Sequence, residues 1–236
     1  MTRSCSGPQR GLHLQRIAEV RSRLVREGPP STRDYANDFD TVTLPERDCD
    51  AIRDLLIDMA AEKVIEVGLA YGSSALAIGE ALIAVGAERP MHIIIDPLQD
   101  SEWSNVGWQL LQSAALDAIA RLVLQPSSLA LSQLVVDGCT ADAAFVDGSH
   151  RFHEVFVDLY FLRKIIRPGG TIILDDYWWP SVRAAAHYYE KNLGWQIVQE
   201  ALDGRTVDDA TRCPRAVALR LPDHPFEPAF ESFRPF

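Results

Sequence analysis

The chain has 236 residues, of which 47% are hydrophobic and 24% are charged, with 33 acidic and 23 basic side chains. This length predicts one large domain with additions or two small domains, and the composition excludes a wholly disordered chain. The net charge of −10 counts against a nucleic-acid partner, since proteins that coat nucleic acid present a basic face. With no run of 18 apolar residues and no apolar stretch near its start, the sequence is expected to have neither a membrane-spanning helix nor a secretory signal.

The first 33 residues differ in charge from the rest, because they carry seven arginines and only two acidic residues. Apolar residues at helical spacing between Leu14 and Val25 predict a helix that Gly28-Pro29-Pro30 ends. We interpret residues 1–42 as a basic helical appendage that forms a lid or a dimer contact, with an organelle transit peptide as the alternative. The four cysteines have no metal-binding spacing, so reduced thiols in a cytoplasmic protein are expected.

Residues 43–221 alternate between helices and short apolar strands, starting with a capping-box pattern at Thr43–Glu46 and an apolar helix face over 52–59. The predicted strands are 64–67, 92–95, 122–124, 143–146, 171–174, 195–198 and 216–221. The predicted helices between them are 73–85, 108–120, 128–136, 152–166 and 181–192. The pattern predicts an α/β fold: a Rossmann-like open, mostly parallel seven-stranded sheet with helices on both faces and an antiparallel last strand. The aromatic, proline-rich tail, residues 222–236, is expected to wrap the body or close a pocket.

Ligands of such sheets bind at the carboxyl ends of the strands, so the residues that follow each strand matter most. After the first strand, Gly68 and Gly72 allow a tight turn, and Ser73 or Ser74 begins a helix whose N-terminal amides favour an anion. A tight turn without a ligand is the alternative, since the third glycine of the dinucleotide fingerprint is missing. Asp96 ends the second strand, where an acid can accept hydrogen bonds from a ribose; an ordinary strand-end aspartate is the alternative. Together these features indicate an adenosine-containing ligand.

Three aspartates, Asp147, Asp175 and Asp176, follow the fourth and fifth strands. Adjacent strands would bring their carboxylates to one rim, where they would repel one another without cationic partners. A hard divalent cation such as Mg²⁺ would resolve this repulsion, because it prefers oxygen ligands. The alternative is that Asp175 caps a turn and Asp176 is solvated.

With these motifs, the sequence resembles the class I S-adenosylmethionine-dependent methyltransferases over residues 45–221. The segment Glu66-x-Gly68-x-x-x-Gly72 is similar to the first motif of that family. The resemblance implies a cofactor site whose parts fall on separate loops. In it, Gly68 lines the methionine part, Ser74 lies near the methionine carboxylate, Asp96 binds the ribose, and Ser127 contacts the adenine.

The three-aspartate pattern resembles that of metal-dependent small-molecule O-methyltransferases, both the catechol type and, more closely, the macrocin type that methylates antibiotic sugars. Macrocin-type enzymes often carry, two residues after the strand-four aspartate, a second aspartate that serves as a base. This sequence has Ser149 at that position. His150 stands where the catechol type has a catalytic lysine, and a neutral imidazole can accept a proton near pH 7. A surface histidine is the alternative. Asp147 is assigned at once to catalysis, to the cofactor and to the metal.

We therefore predict a cytoplasmic, dimeric, metal-dependent methyltransferase that uses S-adenosylmethionine and acts on a hydroxyl of a small molecule. A sugar or aminosugar of a secondary metabolite is the expected acceptor, with antibiotic biosynthesis as the context. Methylation of an amine on a cationic aminosugar is a variant of the same prediction. A nicotinamide-dependent oxidoreductase and a non-catalytic Rossmann-like binding module are the alternatives from other classes. No membrane partner is expected.

Overall fold

The computed structural model describes residues 7–30 and 39–236, which include a seven-stranded sheet. Its strands are β1 (Lys63–Val67), β2 (Met91–Ile95), β3 (Ala120–Val123), β4 (Ala141–Val146), β5 (Ile166–Leu174), β6 (Gln196–Val198) and β7 (Val217–Arg220). Their order across the sheet is β3-β2-β1-β4-β5-β7-β6. The first five strands are parallel, and β7 is antiparallel to both β5 and β6. The predicted α/β fold and its antiparallel final hairpin are confirmed.

Eight α-helices surround this sheet in the part of the chain that is described. They are α1 (Gly7–Glu27), α2 (Phe39–Val42), α3 (Glu46–Asp58), α4 (Ser73–Val85), α5 (Val106–Ser113), α6 (Ser127–Val136), α7 (Phe152–Ile165) and α8 (Pro180–Leu193). One predicted helix was too long: α5 ends at Ser113, because Ala115 takes a positive φ of 57° and turns the chain toward β3. Within the described ranges, no helix combines the length and the apolar character needed to cross a membrane.

The sheet buries both of its faces, which explains why its strands are apolar without alternation. Successive side chains of a strand point to opposite faces, so neighbouring residues enter different cores. In β1, Ile65 packs into a cluster with α6, α7 and α8, whereas Val64 packs into a cluster with α3 and α4. In β2, Ile94 packs with α1, α4 and α5.

The arginine-rich N-terminal helix packs on the main domain. Ile17 and Leu24 of α1 are buried against α4, and Arg21 forms ion pairs with Asp50 of α3, at 2.7 Å, and with Glu80 of α4. The predicted helix is therefore confirmed. The boundary at residue 42 and the role as lid or dimer contact stay predictions, and residues 1–6 and 31–38 of the appendage lie outside the described part.

The C-terminal tail lies across α7 and α8. The ring of Phe236 stacks on Phe152 at 6.1 Å and meets Tyr188 edge-on at 5.2 Å. Asn192 exchanges two hydrogen bonds with the backbone of Arg234, at 3.0 and 2.8 Å. These contacts agree with the first of the two roles expected for the tail, which is to wrap the body, and its role stays a prediction.

Candidate active site

A cavity of about 1000 Å³ opens at the carboxyl ends of the parallel strands. Six of the predicted site residues line it: Gly68, Asp96, Ser127, Asp147, His150 and Asp176. Gly72 and Ser74 line an adjoining cavity of about 30 Å³, whose wall also includes Gly68 and Asp147. Two predicted residues, Glu66 and Asp175, line neither cavity. The loops after β1, β2, β4 and β5 thus meet at one site, as the strand order requires.

Gly68 lets the loop after β1, residues 68–72 and here named the glycine loop, pack directly on the end of β4. Its φ is +96°, and a Cβ at this position would lie 2.2 Å from the carbonyl oxygen of Asp147. Next to this contact, the amide of Asp147 donates to the carbonyl of Val67 at 2.8 Å. Only glycine satisfies both the backbone conformation and the close approach. The glycine loop and the loop that carries Asp147 are therefore in direct backbone contact.

Asp96 holds the glycine loop in place from the end of β2. Its Oδ2 accepts hydrogen bonds from the amides of Leu69 and Ala70, at 3.1 and 3.0 Å, and from Nε2 of Gln99 at 3.0 Å. Its Oδ1 accepts one bond, from the amide of Leu98 at 2.8 Å. Oδ1 keeps a lone pair for a ligand, so the ribose role stays a prediction. Gln99, which sequence reasoning missed, completes this clamp.

Glu66 lies buried beneath the glycine loop and does not line the cavity wall. Its side chain is fully buried, its Oε1 accepts a hydrogen bond from the hydroxyl of Ser74 at 2.5 Å, and its Oε2 lies 2.8 Å from Nε2 of His92. Glu66 therefore positions Ser74 at the start of α4, and His92 supplies its second partner. Sequence reasoning missed His92, although a lone histidine in an otherwise apolar strand was the signal.

The expectation that the three aspartates lack cationic partners is wrong. Arg215, just before β7, directs Nε and Nη2 at Oδ2 of Asp175, both at 3.0 Å, and both side chains are buried. The antiparallel pairing of Leu174 with Val217 brings these two residues side by side. Asp175 is thus held by a guanidinium, which the sequence alone did not reveal because Arg215 precedes a strand that is forty residues further along the chain.

His150 and Asp176 form the second charged pair of the site. Nε2 of His150 lies 2.5 Å from Oδ2 of Asp176, and Nε1 of Trp178 donates to Oδ1 of the same carboxylate at 2.8 Å. The imidazole also stacks on Trp179, with ring centroids 6.0 Å apart and planes 12° apart. This arrangement fixes the ring of His150 at the mouth of the cavity. It also leaves Trp178 and Trp179 as an aromatic wall.

The titration of these groups follows from their surroundings. Burial, together with the charges of Asp175 and Asp176, raises the pKa of Asp147 well above its usual value. Burial likewise raises the pKa of Asp175 to about 6 in spite of Arg215. The hydrogen bond to Asp176 raises the pKa of His150. For Asp176, burial is outweighed by the bond from His150, and its pKa lies below the usual range.

The predicted set of three magnesium-binding carboxylates does not fit these contacts, because Arg215 occupies Asp175. A different set lies together: Asp147, His150 and Asp176 each offer one ligand atom within 4.8 Å of the others. Two carboxylates and an imidazole suit a divalent ion that accepts nitrogen as well as oxygen ligands. Arg215 pairs with Asp175 and His150 with Asp176, so part of the charge repulsion that led to the magnesium prediction is relieved. The metal therefore stays a prediction.

The sheet order, the glycine loop and the acid after β2 define a Rossmann-like fold of the class I methyltransferase type. Residues 65–177 match a family model described as a methyltransferase domain. This bears out the resemblance drawn from Glu66, Gly68, Gly72 and Asp96.

Two solved structures share this fold over nearly the whole chain. An O-methyltransferase from Bacillus cereus, in complex with S-adenosylhomocysteine, aligns with a TM-score of 0.58 and 14% identity, over 89% of this chain and 90% of that one. The O-methyltransferase TomG of Streptomyces achromogenes, involved in tomaymycin synthesis and in complex with S-adenosylmethionine, aligns with a TM-score of 0.62 and 16% identity, over 90% of each chain. At these identities the likeness concerns the fold.

One curated relative is closer in sequence over a shorter region. It is an Arabidopsis thaliana protein provisionally named a caffeoyl-CoA O-methyltransferase, and it is 31% identical over 121 residues. The match covers 51% of this chain and 49% of the relative. The chain thus aligns with about half the length of that protein.

Proposed function

We propose that the protein transfers a methyl group from S-adenosylmethionine to a hydroxyl of a small molecule. One observation carries this proposal: a single cavity joins the glycine loop of the methyltransferase domain to a histidine–carboxylate pair. In this proposal Gly68 and Ser74 contact the methionine part, Asp96 the ribose and Ser127 the adenine. Glu66 and Gly72 act on the cofactor indirectly, through Ser74 and the shape of the loop.

Methyl transfer needs little covalent assistance, because the sulfonium is already an activated donor. It needs the hydroxyl oxygen in line with the methyl carbon and the sulfur, and it needs a group that takes the hydroxyl proton. His150 fills the second role. Its Nε2–H donates to Asp176, which keeps the proton on that nitrogen and leaves Nδ1 to accept the proton of the acceptor. Asp176 then stabilises the imidazolium that results.

The walls of the cavity favour a hydroxylated ring as the acceptor. Trp178 and Trp179 present flat apolar surfaces that suit an aromatic ring or the face of a sugar. Arg215 lines the cavity together with Asp147 and Asp176, so the wall carries charges of both signs and does not by itself select the charge of the acceptor. A phenol or a sugar hydroxyl fits this wall. The dimer, the cytoplasmic location and the context of antibiotic biosynthesis stay predictions.

A second candidate mechanism uses a divalent cation, and the cluster of Asp147, His150 and Asp176 is the observation that favours it. These three side chains would hold the ion, which would lower the pKa of the acceptor hydroxyl. His150 would then be a ligand and not a base, so the two mechanisms exclude each other. In either mechanism the ion pair of Arg215 with Asp175 would hold the backbone next to Asp176 in place.

Binding and transfer assays test the function directly. Calorimetric titration with S-adenosylmethionine, S-adenosylhomocysteine and NAD is expected to show binding of the first two and not of the third. Transfer of radiolabelled methyl groups to catechols, simple phenols, glycosides and aminoglycosides would then identify the acceptor class. Failure of both adenosyl ligands to bind would overturn the proposal, and binding of NAD alone would favour an oxidoreductase.

A further inference from the structure

Arg215 lines the cavity, but the proposed mechanism gives its side chain no part in binding the acceptor. The residue is 8% exposed, and its guanidinium contacts two groups of the site: the carboxylate of Asp175 and the ring of Trp178, whose centroid lies 5.5 Å from Cζ. Because the cavity wall carries charges of both signs, selection of the acceptor depends on which donors the protein leaves unpaired. Arg215 has such donors.

Asp175 occupies only one edge of the guanidinium. Nε and Nη2 of Arg215 both lie 3.0 Å from Oδ2 of Asp175. A guanidinium has a second edge of parallel N–H groups, which its two terminal nitrogens share and which can also hold a carboxylate. Nη1, on this second edge, has no hydrogen-bond partner among the described residues, yet it keeps some accessible surface. Since Arg215 lines the cavity, this edge is open to a ligand there.

Trp178 connects the open edge with the proposed base. Its ring contacts the guanidinium of Arg215, and its Nε1 donates to Oδ1 of Asp176 at 2.8 Å. The other oxygen of Asp176 lies 2.5 Å from Nε2 of His150. Arg215, Trp178 and His150 therefore belong to one wall of the cavity. A ring that packs on this wall has a cationic donor edge and a proton acceptor within the same site.

The chemistry of the open edge favours a carboxylate on the acceptor. Two parallel N–H groups match the two oxygens of a planar anion, and such charge-assisted pairs are stronger than bonds to a neutral group. The acids of the site leave this edge available: Asp175 takes the other edge, Asp176 has its own partners, and no ion pair joins Asp147 to Arg215 in the part of the chain that is described. The flat indole surfaces favour an aromatic ring as the body of the acceptor.

We propose that the acceptor is a hydroxylated aromatic carboxylic acid, and that Arg215 binds its carboxylate through the edge that Nη1 and Nη2 share. This inference rests on the proposed function, because it places the carboxylate on the molecule whose hydroxyl receives the methyl group. The reaction is unchanged: the hydroxyl proton passes to His150, and the oxygen bonds to the methyl carbon as the carbon–sulfur bond breaks. Arg215 thereby becomes a specificity-determining residue, with Asp175 on one edge and the acceptor on the other.

The test compares acids with their primary amides, which have nearly the same shape and lack the charge. The pairs derive from 3-hydroxybenzoic, 4-hydroxybenzoic and 4-hydroxyphenylacetic acid, which differ in the spacing of the hydroxyl and carboxyl groups. Calorimetry is done with S-adenosylhomocysteine present, so that binding is measured without turnover. In at least one pair, the acid is expected to bind at least tenfold more tightly than its amide, the size of a hydrogen-bonded contact with a charged group.

Two matched substitutions assign this preference to a residue. In Arg215→Lys, which keeps the positive charge but has no second edge, the preference for the acid is expected to fall below threefold. Arg151→Lys is the control, because Arg151 lines the same cavity but is exposed and pairs with Glu154. The preference should persist in this control.

The outcomes separate the inference from the proposed function. If S-adenosylhomocysteine binds but no acid is preferred over its amide, or none of these compounds binds, the inference is overturned and the proposed function stands. A preference that persists in Arg215→Lys, or that is lost equally in Arg151→Lys, would also overturn it. Failure of S-adenosylhomocysteine to bind would instead overturn the proposed function.

A second variant covers the case in which Arg215→Lys fails to fold, as judged by its thermal unfolding. Arg215→Met combined with Asp175→Leu replaces the whole buried pair by apolar side chains and leaves no charge unpaired, a change that proteins often tolerate. The preference for the acid should again fall below threefold in this double variant. A preference that persists there would overturn the inference.

Discussion

Arg215 and Asp175 form a buried ion pair that joins β7 to the end of β5, with Nε and Nη2 of the arginine both 3.0 Å from Oδ2 of the aspartate. The pair stands where the sequence predicted a metal ligand. Because Asp176 directly follows Asp175, this pair holds the backbone that carries Asp176, and the guanidinium lowers the net negative charge of the site.

Breaking this pair is expected to destabilise the protein. Arg215→Met should lower the free energy of unfolding by about 3–5 kcal/mol, because it leaves a buried carboxylate without a partner. Arg220→Met, at the far end of β7, is the control, since Arg220 pairs with Asp223 at the surface and such pairs contribute about 0–1 kcal/mol. Denaturant unfolding measures both. Equal losses of unfolding free energy in the two variants would contradict this prediction, because the buried pair would then contribute no more than the surface pair.

Replacing His150 is expected to slow methyl transfer without weakening cofactor binding. His150→Gln should lower kcat by about 10²–10⁴-fold, the usual contribution of a proton-accepting side chain. The affinity for S-adenosylhomocysteine, measured by calorimetry, should change less than twofold. His153→Gln is the control, because His153 lines the same cavity but is exposed and does not contact Asp176. A similar loss in both variants would remove His150 from the mechanism.

Chelation separates the two candidate mechanisms. If His150 and Asp176 take the proton, activity should survive extensive dialysis against EDTA, since the chain supplies every group required. Activity that is lost on dialysis and restored by Mg²⁺ or Mn²⁺ would establish the cation mechanism instead. The choice between these ions is informative, because the imidazole of His150 is a better ligand for Mn²⁺ than for Mg²⁺.

Gly68→Ala is expected to disrupt the contact between the glycine loop and the end of β4. The added Cβ would lie 2.2 Å from the Asp147 carbonyl oxygen, a backbone atom that cannot rotate away. We expect a loss of stability ~2 kcal/mol larger than that of Gly138→Ala, as overpacking costs of this kind indicate. Gly138 has a similarly positive φ of +68° but open space around it, so it isolates the steric effect. Indistinguishable unfolding curves for the two variants would contradict this account.

The raised pKa of Asp158 predicts an unusual dependence of stability on pH. A carboxyl whose pKa is about 6 in the folded state, against 3.8 for the ordinary group, binds protons more tightly when folded. Stability is therefore lost as the pH rises from about 4 to 6, the reverse of the usual carboxylate. Asp158→Asn removes this dependence, so its effect on the free energy of unfolding should be more favourable at pH 7.5 than at pH 4.5 by ~2 kcal/mol. A difference that is constant across this range would contradict the assignment.

The parts of the site that are local in sequence could be predicted. Gly68 and Gly72 directly follow an apolar strand, and Asp96 ends the next, so the strand order of an α/β fold was enough to bring them together. The strands themselves were predictable because burial on both faces makes them continuously apolar. The end of α5 could not be predicted, because the turn there has a positive φ at Ala115 and alanine is not a residue type that signals a turn.

The partners that come from distant strands could not be predicted. Arg215 reaches Asp175 only because β7 inserts between β5 and β6 in one particular register, which no local pattern specifies. His92 reaches Glu66 because β2 lies beside β1, and its neighbours in sequence give no indication of a buried acid. The prediction of a metal from three acidic residues therefore counted the acids that follow two neighbouring strands and omitted the arginine that the antiparallel hairpin brings beside them.

The buried contact between Glu66 and His92 also bears on how the sheet assembles. Val64 stands opposite His92 in the parallel pairing of β1 with β2, and this places the acid and the imidazole on the same face. A slip of one residue would turn His92 to the other face, among the apolar residues that pack with α6, α7 and α8, and would leave Oε2 of Glu66 without its partner. An incorrectly aligned sheet thus carries an electrostatic penalty, and the centre of this fold has one favoured alignment even though its strands are otherwise nearly interchangeable runs of valine and isoleucine.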